Sequence, residues 1–426
     1  MNAPLRRIGS AILALTFCVG AAPVSASTDG LPDSVDQLIE SAENGSTPGQ
    51  EDLLAILSAG PVGATTDLIG RLDQRGAQAP SRAAIDSIEA SLAGIGSFVR
   101  SRRNEQSAES WHDEARVALE YITHRGSSAD LEDAFTVCSP HKNAAYAMVQ
   151  RTSDLLTRTI EALLIRDRAS FPRLERLWPE APTAVRRSLL NALGDSRDVE
   201  AAPLLTRLLG TDVSNDILVL IHLAKAGRHR LAPLDEGSYE RIRVYLRHQE
   251  PKLRASAAQA LGRLDDQSSV QELIGMLEDN DAKVRVGVHF ALKLLTAMTL
   301  DASTRPWISW YESERRWYIE ERPELFRRLV AIRSEEMAPM LRELAAHQLY
   351  RRELGELLVP FLDDPNPEIV RMVIAAMQGL RADTAVDALS RCRDEHTSDS
   401  VVEQATHAIW VITGIPPERQ VPWSHG

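Results

Sequence analysis

The chain has 426 residues, 44% of them hydrophobic and 25% charged, with 60 acidic against 48 basic side chains and a formal net charge of -12. So acidic a chain is excluded as a general nucleic-acid binder, because neutralising phosphates requires a basic face. Cys138 and Cys392, the two cysteines outside the N-terminal leader described next, lie 254 residues apart and make no disulfide framework.

Residues 1–26 have the layout of a secretory leader. Arg6 and Arg7 precede an apolar run from Ile8 to Ala22, and Val24-Ser25-Ala26 offers a small-residue cleavage site. The run is about 15 residues, shorter than the roughly 20 that span a bilayer. Phe17 stands directly before Cys18, where lipidation needs a small residue. The expected mature chain is therefore periplasmic or secreted, without a lipid anchor or a stable membrane span. Losing the leader leaves 46 basic against 60 acidic side chains, a net charge of -14.

Residues 27–50 read as a flexible start. Residues 51–152 form an N-terminal helical region, either degenerate repeats or a separate cap. Its helical pieces run over 52–59, 64–74, 81–103, 110–123 and 143–164, punctuated by Gly60-Pro61, Gly76 and Gly126.

From 153 to 300 a two-helix pattern recurs. In the unit from Val270, Leu273, Ile274 and Leu277 form the first apolar stripe, and Asp279-Asn280-Asp281 makes the turn and caps the next helix. Val284, Val288, Ala291, Leu292 and Leu295 then lie on one face of a 3.6-residue period. The unit from Leu357 repeats the plan, with Asn366 as cap and Pro367 at the first helical position. In the unit from Val199, Ile217, Leu220, Ile221 and Leu223 form the second stripe. Ala257, Ala258, Ala260, Ala375 and Ala376 are expected where helix layers approach closely. Arg254 and Arg285 stand 31 residues apart, and Arg186, Arg254 and Arg371 each precede a glycine by eight residues (Gly194, Gly262 and Gly379).

The pattern Val-Arg-x-x-Ala-Ala-x-Ala-Leu-Gly after an Asp-bearing turn resembles the HEAT repeat, in the short bacterial form found in bilin-lyase-like HEAT proteins. The matching segments are 253–264, 281–292 and 364–380, and the likeness covers roughly 155–300 and 336–413. It implies an all-α fold, a HEAT-type α-solenoid of about seven to ten helix pairs with one continuous core. It also implies a ladder between repeats, with Asp281 and Arg285, Asp364 and Arg371, Arg254 and Arg186 as structural residues, and a concave face lined by second helices. A Trp-bearing tail, here residues 414–426, is familiar from an exported bacterial subfamily.

The period breaks at 301–335, before the repeats resume over 336–413. That insertion carries Trp307, Trp310, Tyr311 and Trp317 among Arg315, Arg316 and several glutamates. Tryptophan and tyrosine dominate binding hot spots, so these residues are candidate partner contacts, competing with a role in packing over the interrupted stack. The arginines suit an acidic partner or a solvated, ion-paired helix. Gln259, His289 and Gln378 flank the apolar stripes and are candidate positions on the concave face. The pairs His222 with His229 and His396 with His407 lack partners at metal spacing, and no catalytic or phosphate-binding motif occurs. The expectation is a scaffold for a protein partner of unknown identity, without catalysis, cofactor or metal. The alternatives are a lyase or chaperone-like enzyme, as the bilin-lyase likeness implies, and a structural spacer.

Overall fold

A computed structural model describes residues 38–42, 48–76, 82–229, 234–332 and 336–417. The expected leader with Cys18, most of the 27–50 segment and the end of the tail with Trp423 lie outside these residues, as does the His229 side chain. The described residues are helical, with no strand among them. No single helix there is long and apolar enough to cross a membrane.

The chain begins with α1 (Gln50–Ala59), α2 (Ala64–Gly76), α3 (Arg82–Ala93), α4 (Ile95–Ser101) and α5 (Ala108–Arg125). The single helix expected over 81–103 is broken at Gly94, where a turn separates α3 from α4. Pairs of a short first helix and a longer second helix follow: α6 (Leu131–Val137) with α7 (Tyr146–Arg166), α8 (Ser170–Leu177) with α9 (Thr183–Asp195), and α10 (Ala201–Arg207) with α11 (Val213–Ala226). Next come α12 (Glu236–Arg243) with α13 (Pro251–Leu264), and α14 (Val270–Gly275) with α15 (Ala282–Thr296). The insertion forms α16 (Thr304–Arg316), a π-helical turn over Trp317–Glu321 and α17 (Arg322–Ala331). The chain closes with α18 (Met337–Ala346), then α19 (Arg351–Leu358) with α20 (Pro367–Leu380), and α21 (Val386–Glu395) with α22 (Asp399–Thr413).

Second helices pack side by side in chain order, α5 on α7, α7 on α9, and so on to α15. The stacked plan therefore extends N-terminal of residue 153. It is set locally by polar caps. Asp212 accepts the amides of Ser214 and Asn215, Asp281 those of Lys283 and Val284, and Asn366 that of Glu368. Each cap satisfies orphan first-turn donors and so fixes where a second helix starts.

The layers meet most closely at glycine. A Cβ on Gly262 of α13 would fall 2.6 Å from Ala291 Cα and 2.7 Å from Ala291 Cβ on α15, so backbone would have to move. Overpacking of this kind costs about 1–3 kcal/mol, more than the ~1 kcal/mol that alanine gains over glycine as a helix former. Gly262→Ala is therefore expected to lower the thermal midpoint. Gly275→Ala is the matched control, since nothing lies within 4 Å there, and a midpoint equal to or above wild type is expected for it. Ala257, Ala258 and Ala260 are fully buried as the repeat pattern requires, but Ala375 is exposed.

The single continuous core expected from the repeat pattern is replaced by two. One hydrophobic cluster runs from Leu38 to Trp307 and takes in Leu349, while the other runs from Trp317 to Ile412. They divide inside the insertion, because α15 has no second helix stacked on its far side, and only Tyr350 packs against both clusters.

Candidate binding surface

The insertion is a packed joint. Helical spacing puts Trp307 and Trp310 on one face of α16, and that face meets the gap left by the interrupted stack. Trp307 is wholly buried, and its Nε1 donates to the carbonyl of Asp301 at 2.7 Å. Its ring meets His289 and Trp310 edge-on, with centroids 6.1 and 6.0 Å away. Trp310 and Tyr311 are half-buried against the N-terminal core. Trp317 is buried in the other core, stacked on His347 at 3.3 Å, and the Nδ1 of His347 lies 3.1 Å from Glu314. The expectation that Trp307 and Trp317 reach a partner is thus corrected, because both side chains are spent on closing the ends of two cores. Arg315 and Arg316 remain exposed.

The candidates on second helices separate in the same way. Gln259 is exposed and Gln378 half-buried. His289 is turned inward, with its Nε2 2.8 Å from the carbonyl oxygen of Leu300.

The ladder also needs correction. Asp281 does not pair with Arg285, being occupied as the α15 cap. The arginines share another task, donating to two carbonyls between the first and second helices of their own unit. Arg186 reaches Trp178 O and Pro179 O at 3.2 and 2.7 Å, Arg254 reaches His248 O and Gln249 O at 2.8 and 2.9 Å, and Arg285 reaches Asp279 O and Asn280 O at 2.7 and 3.2 Å. Arg254 adds a rung to the next repeat, a bidentate pair with Asp279 at 2.8 and 2.9 Å. That guanidinium holds the Asp279 carboxyl below its usual range. Asp364 accepts the amide of Asn366, while Arg371 turns to Glu368 and, across the repeat boundary, to Gln404.

A polar clasp that the repeat pattern does not foreshadow joins the two halves. Arg351, only 3% exposed, donates from Nε to Asp265 at 2.8 Å and from Nη1 to the carbonyl of Leu295 at 2.6 Å. Arg352 pairs with Asp383 at 3.2 Å and reaches the Tyr239 hydroxyl at 3.4 Å. Asp265 ends α13 in the left-handed region, at φ 65°, which aims its carboxylate back across the seam. The groups come from α12, α13, α15, α19 and the turn after α20, and no local sequence signal links them.

The face of the second helices turned away from the core is the remaining broad surface. Counted from each cap, the fifth and ninth residues lie toward that face. They are Ile217 and Ile221 on α11, Ala255 and Gln259 on α13, and Val286 and Phe290 on α15. Ile217 and Ala255 are half-buried against the core and the others are exposed. Ile221, assigned above to a core stripe, is instead 48% exposed, Val286 is 70% exposed and Phe290 is 39% exposed. Arg263 of α13 lies over the Phe290 ring, 5.0 Å from its centroid. The sequence did hold the signal: the period that buries Val284, Val288 and Leu292 leaves Val286 and Phe290 on the opposite side.

Among the described residues the histidines form no common site. His222 has its Nδ1 buried without a hydrogen-bond partner, and burial pushes the imidazole down to about 4. His396 accepts the amide of Ser398, and His407 meets Trp410 edge-on. Among the described residues no cluster of three His, Cys, Asp or Glu side chains is placed to hold a metal ion.

Comparisons with known proteins agree on the repeat. Residues 239–302 match the family model of HEAT repeats, and residues 185–211 match that of the PBS lyase HEAT-like repeat. No curated protein matches the chain. Among solved structures, the crystal structure of an engineered protein from a structural genomics consortium is 15% identical, with 89% of this chain and 98% of that chain covered, at a TM-score of 0.31. That last likeness is too slight to argue from. With two repeat models matched on helix pairs that stack layer on layer, the chain is a HEAT-repeat protein.

Proposed function

We propose that the chain is an exported, non-catalytic scaffold that holds another protein against the outward face of its second helices. One observation carries the reading: Ile221 on α11 and Val286 and Phe290 on α15, two layers on, stay exposed at one register, in a stack whose other apolar side chains are mostly spent on the core. Exposed apolar groups grouped in this way mark interaction sites more often than isolated ones do. Export rests on the leader at residues 1–26.

The test is photo-crosslinking from a reactive residue placed at Phe290, carried out in an osmotic-shock fraction, where the chain is expected to begin near Ser27. A discrete crosslinked protein is expected, and Val286→Asp should abolish it without lowering the thermal midpoint. Full-length chain confined to the cytoplasm overturns the export reading, and capture indifferent to Val286→Asp overturns the binding face. The PBS lyase HEAT-like match at 185–211 favours a second reading, a lyase-like role. Covalent loading of a bilin by the purified chain would establish it.

A further inference from the structure

The scaffold reading says that something is held, and the charge on the outward face says what kind of chain it is. Helices α13 and α15 carry six basic side chains, Lys252, Arg254, Arg263, Lys283, Arg285 and Lys293, and no acidic one, in a chain whose net charge is -12. The last second helix, α22, is the opposite, with Asp399 and Glu403 and neither Lys nor Arg. The lysines are exposed, and Lys252, Lys283 and Lys293 have no ion-pair partner among the described residues.

Their spacing places them with the apolar groups. Lys283, Val286, Phe290 and Lys293 follow one another by three, four and three residues, which keeps them within one face of α15. Lys252, Ala255, Gln259 and Arg263 repeat that register on α13. Ile217, Ile221 and Lys225 continue it on α11, where Lys225 is paired with Asp195. The surface therefore presents apolar groups on α11 and α15 with cations beside them, joined by a middle layer of Gln259 and Arg263.

We infer that this face binds an acidic, apolar-bearing segment of a partner protein, with carboxylates meeting Lys252, Lys283 and Lys293 and apolar side chains covering Val286, Phe290 and Ile221. The inference rests on the scaffold reading and specifies the partner class. A protein segment suits the face better than a lipid surface, because Phe290 is tucked beneath Arg263 and does not stand proud of the helix. It suits better than a nucleic-acid duplex because the groups standing between the lysines of α15, Val286 and Phe290, are apolar, where phosphate contacts would need donors.

The test titrates the full chain with a fluorescent amphipathic peptide of about 18 residues, alternating Glu with Leu and Phe, against its Lys-for-Glu counterpart, phosphatidylglycerol vesicles and a DNA duplex. The acidic peptide is expected to bind at least about tenfold more tightly than the basic one and to weaken as salt is raised. Lys283→Glu with Lys293→Glu should weaken it by about tenfold more at an unchanged thermal midpoint, while Arg315→Glu with Arg316→Glu should leave it unaltered. Equal binding of both peptides, indifference to the lysine reversals, preference for vesicles or DNA, or no binding at all overturns the inference. A basic partner crosslinked at Phe290 also overturns it yet keeps the scaffold reading. Crosslinking that fails altogether removes the scaffold reading itself.

Discussion

Replacing Arg351 with methionine is expected to cost about 3–5 kcal/mol and to separate the unfolding of the two halves, because it strands a buried charge. Asp265 would keep its carboxylate at 7% exposure with Arg352 as its nearest remaining cation, 3.8 Å away. The carbonyl of Leu295, at the end of α15, would lose the donor now 2.6 Å from it. An unsatisfied buried acceptor adds to the loss. The two hydrophobic clusters share little side-chain packing, so the clasp and the insertion hold most of the joint. Chemical denaturation should show one transition in wild type and two in Arg351→Met, and small-angle scattering should show a larger radius. Adding Asp265→Gly should restore part of the loss. It removes the stranded charge and supplies the residue best suited to φ 65°. A single wild-type transition in Arg351→Met would show that the clasp is not what unites the halves.

The repeat plan was legible because it is local. Caps such as Asp281 and Asn366, the stripe Val284–Val288–Leu292 and the small residues of α13 lie within one unit, and helix periodicity reads them directly. What escaped was set at longer range. The clasp joins Arg351 to Asp265 across 86 residues, and nothing within either unit marks them as partners. The ladder was misassigned for a related reason. The resemblance implies a ladder through Asp281 and Arg285, but the first is used by the amides of Lys283 and Val284 ahead of it and the second by the carbonyls of the preceding turn. The binding face was partly legible. Gln259 was placed on it, while Ile221 was assigned to a stripe that buries only its neighbours Leu220 and Leu223. A count of charge by helix, rather than over the chain, exposes the basic track on α13 and α15 that the net charge of -12 conceals.

Trp307→Ala is expected to destabilise the N-terminal cluster by about 3–5 kcal/mol, the range for emptying a fully buried aromatic site. The indole is 0% exposed and fills the space beyond α15 that another repeat would occupy. Its removal deprives Asp301 of a hydrogen bond and leaves the rings of His289 and Trp310 facing a cavity. Trp310→Ala, at a half-buried position, should cost clearly less, and Trp307→Phe should cost less still by keeping most of the volume. Differential scanning calorimetry of the three variants checks the order. Equal, small effects would mean that the indole is not packing the end of the core. The same burial decides how partner binding must be probed. His289 connects Trp307 to α15, so a Trp307→Ala chain that fails to bind would report a disturbed α15 rather than a lost contact. Substitutions at Val286 and Phe290, which are exposed where Trp307 is wholly buried, change the exposed face directly.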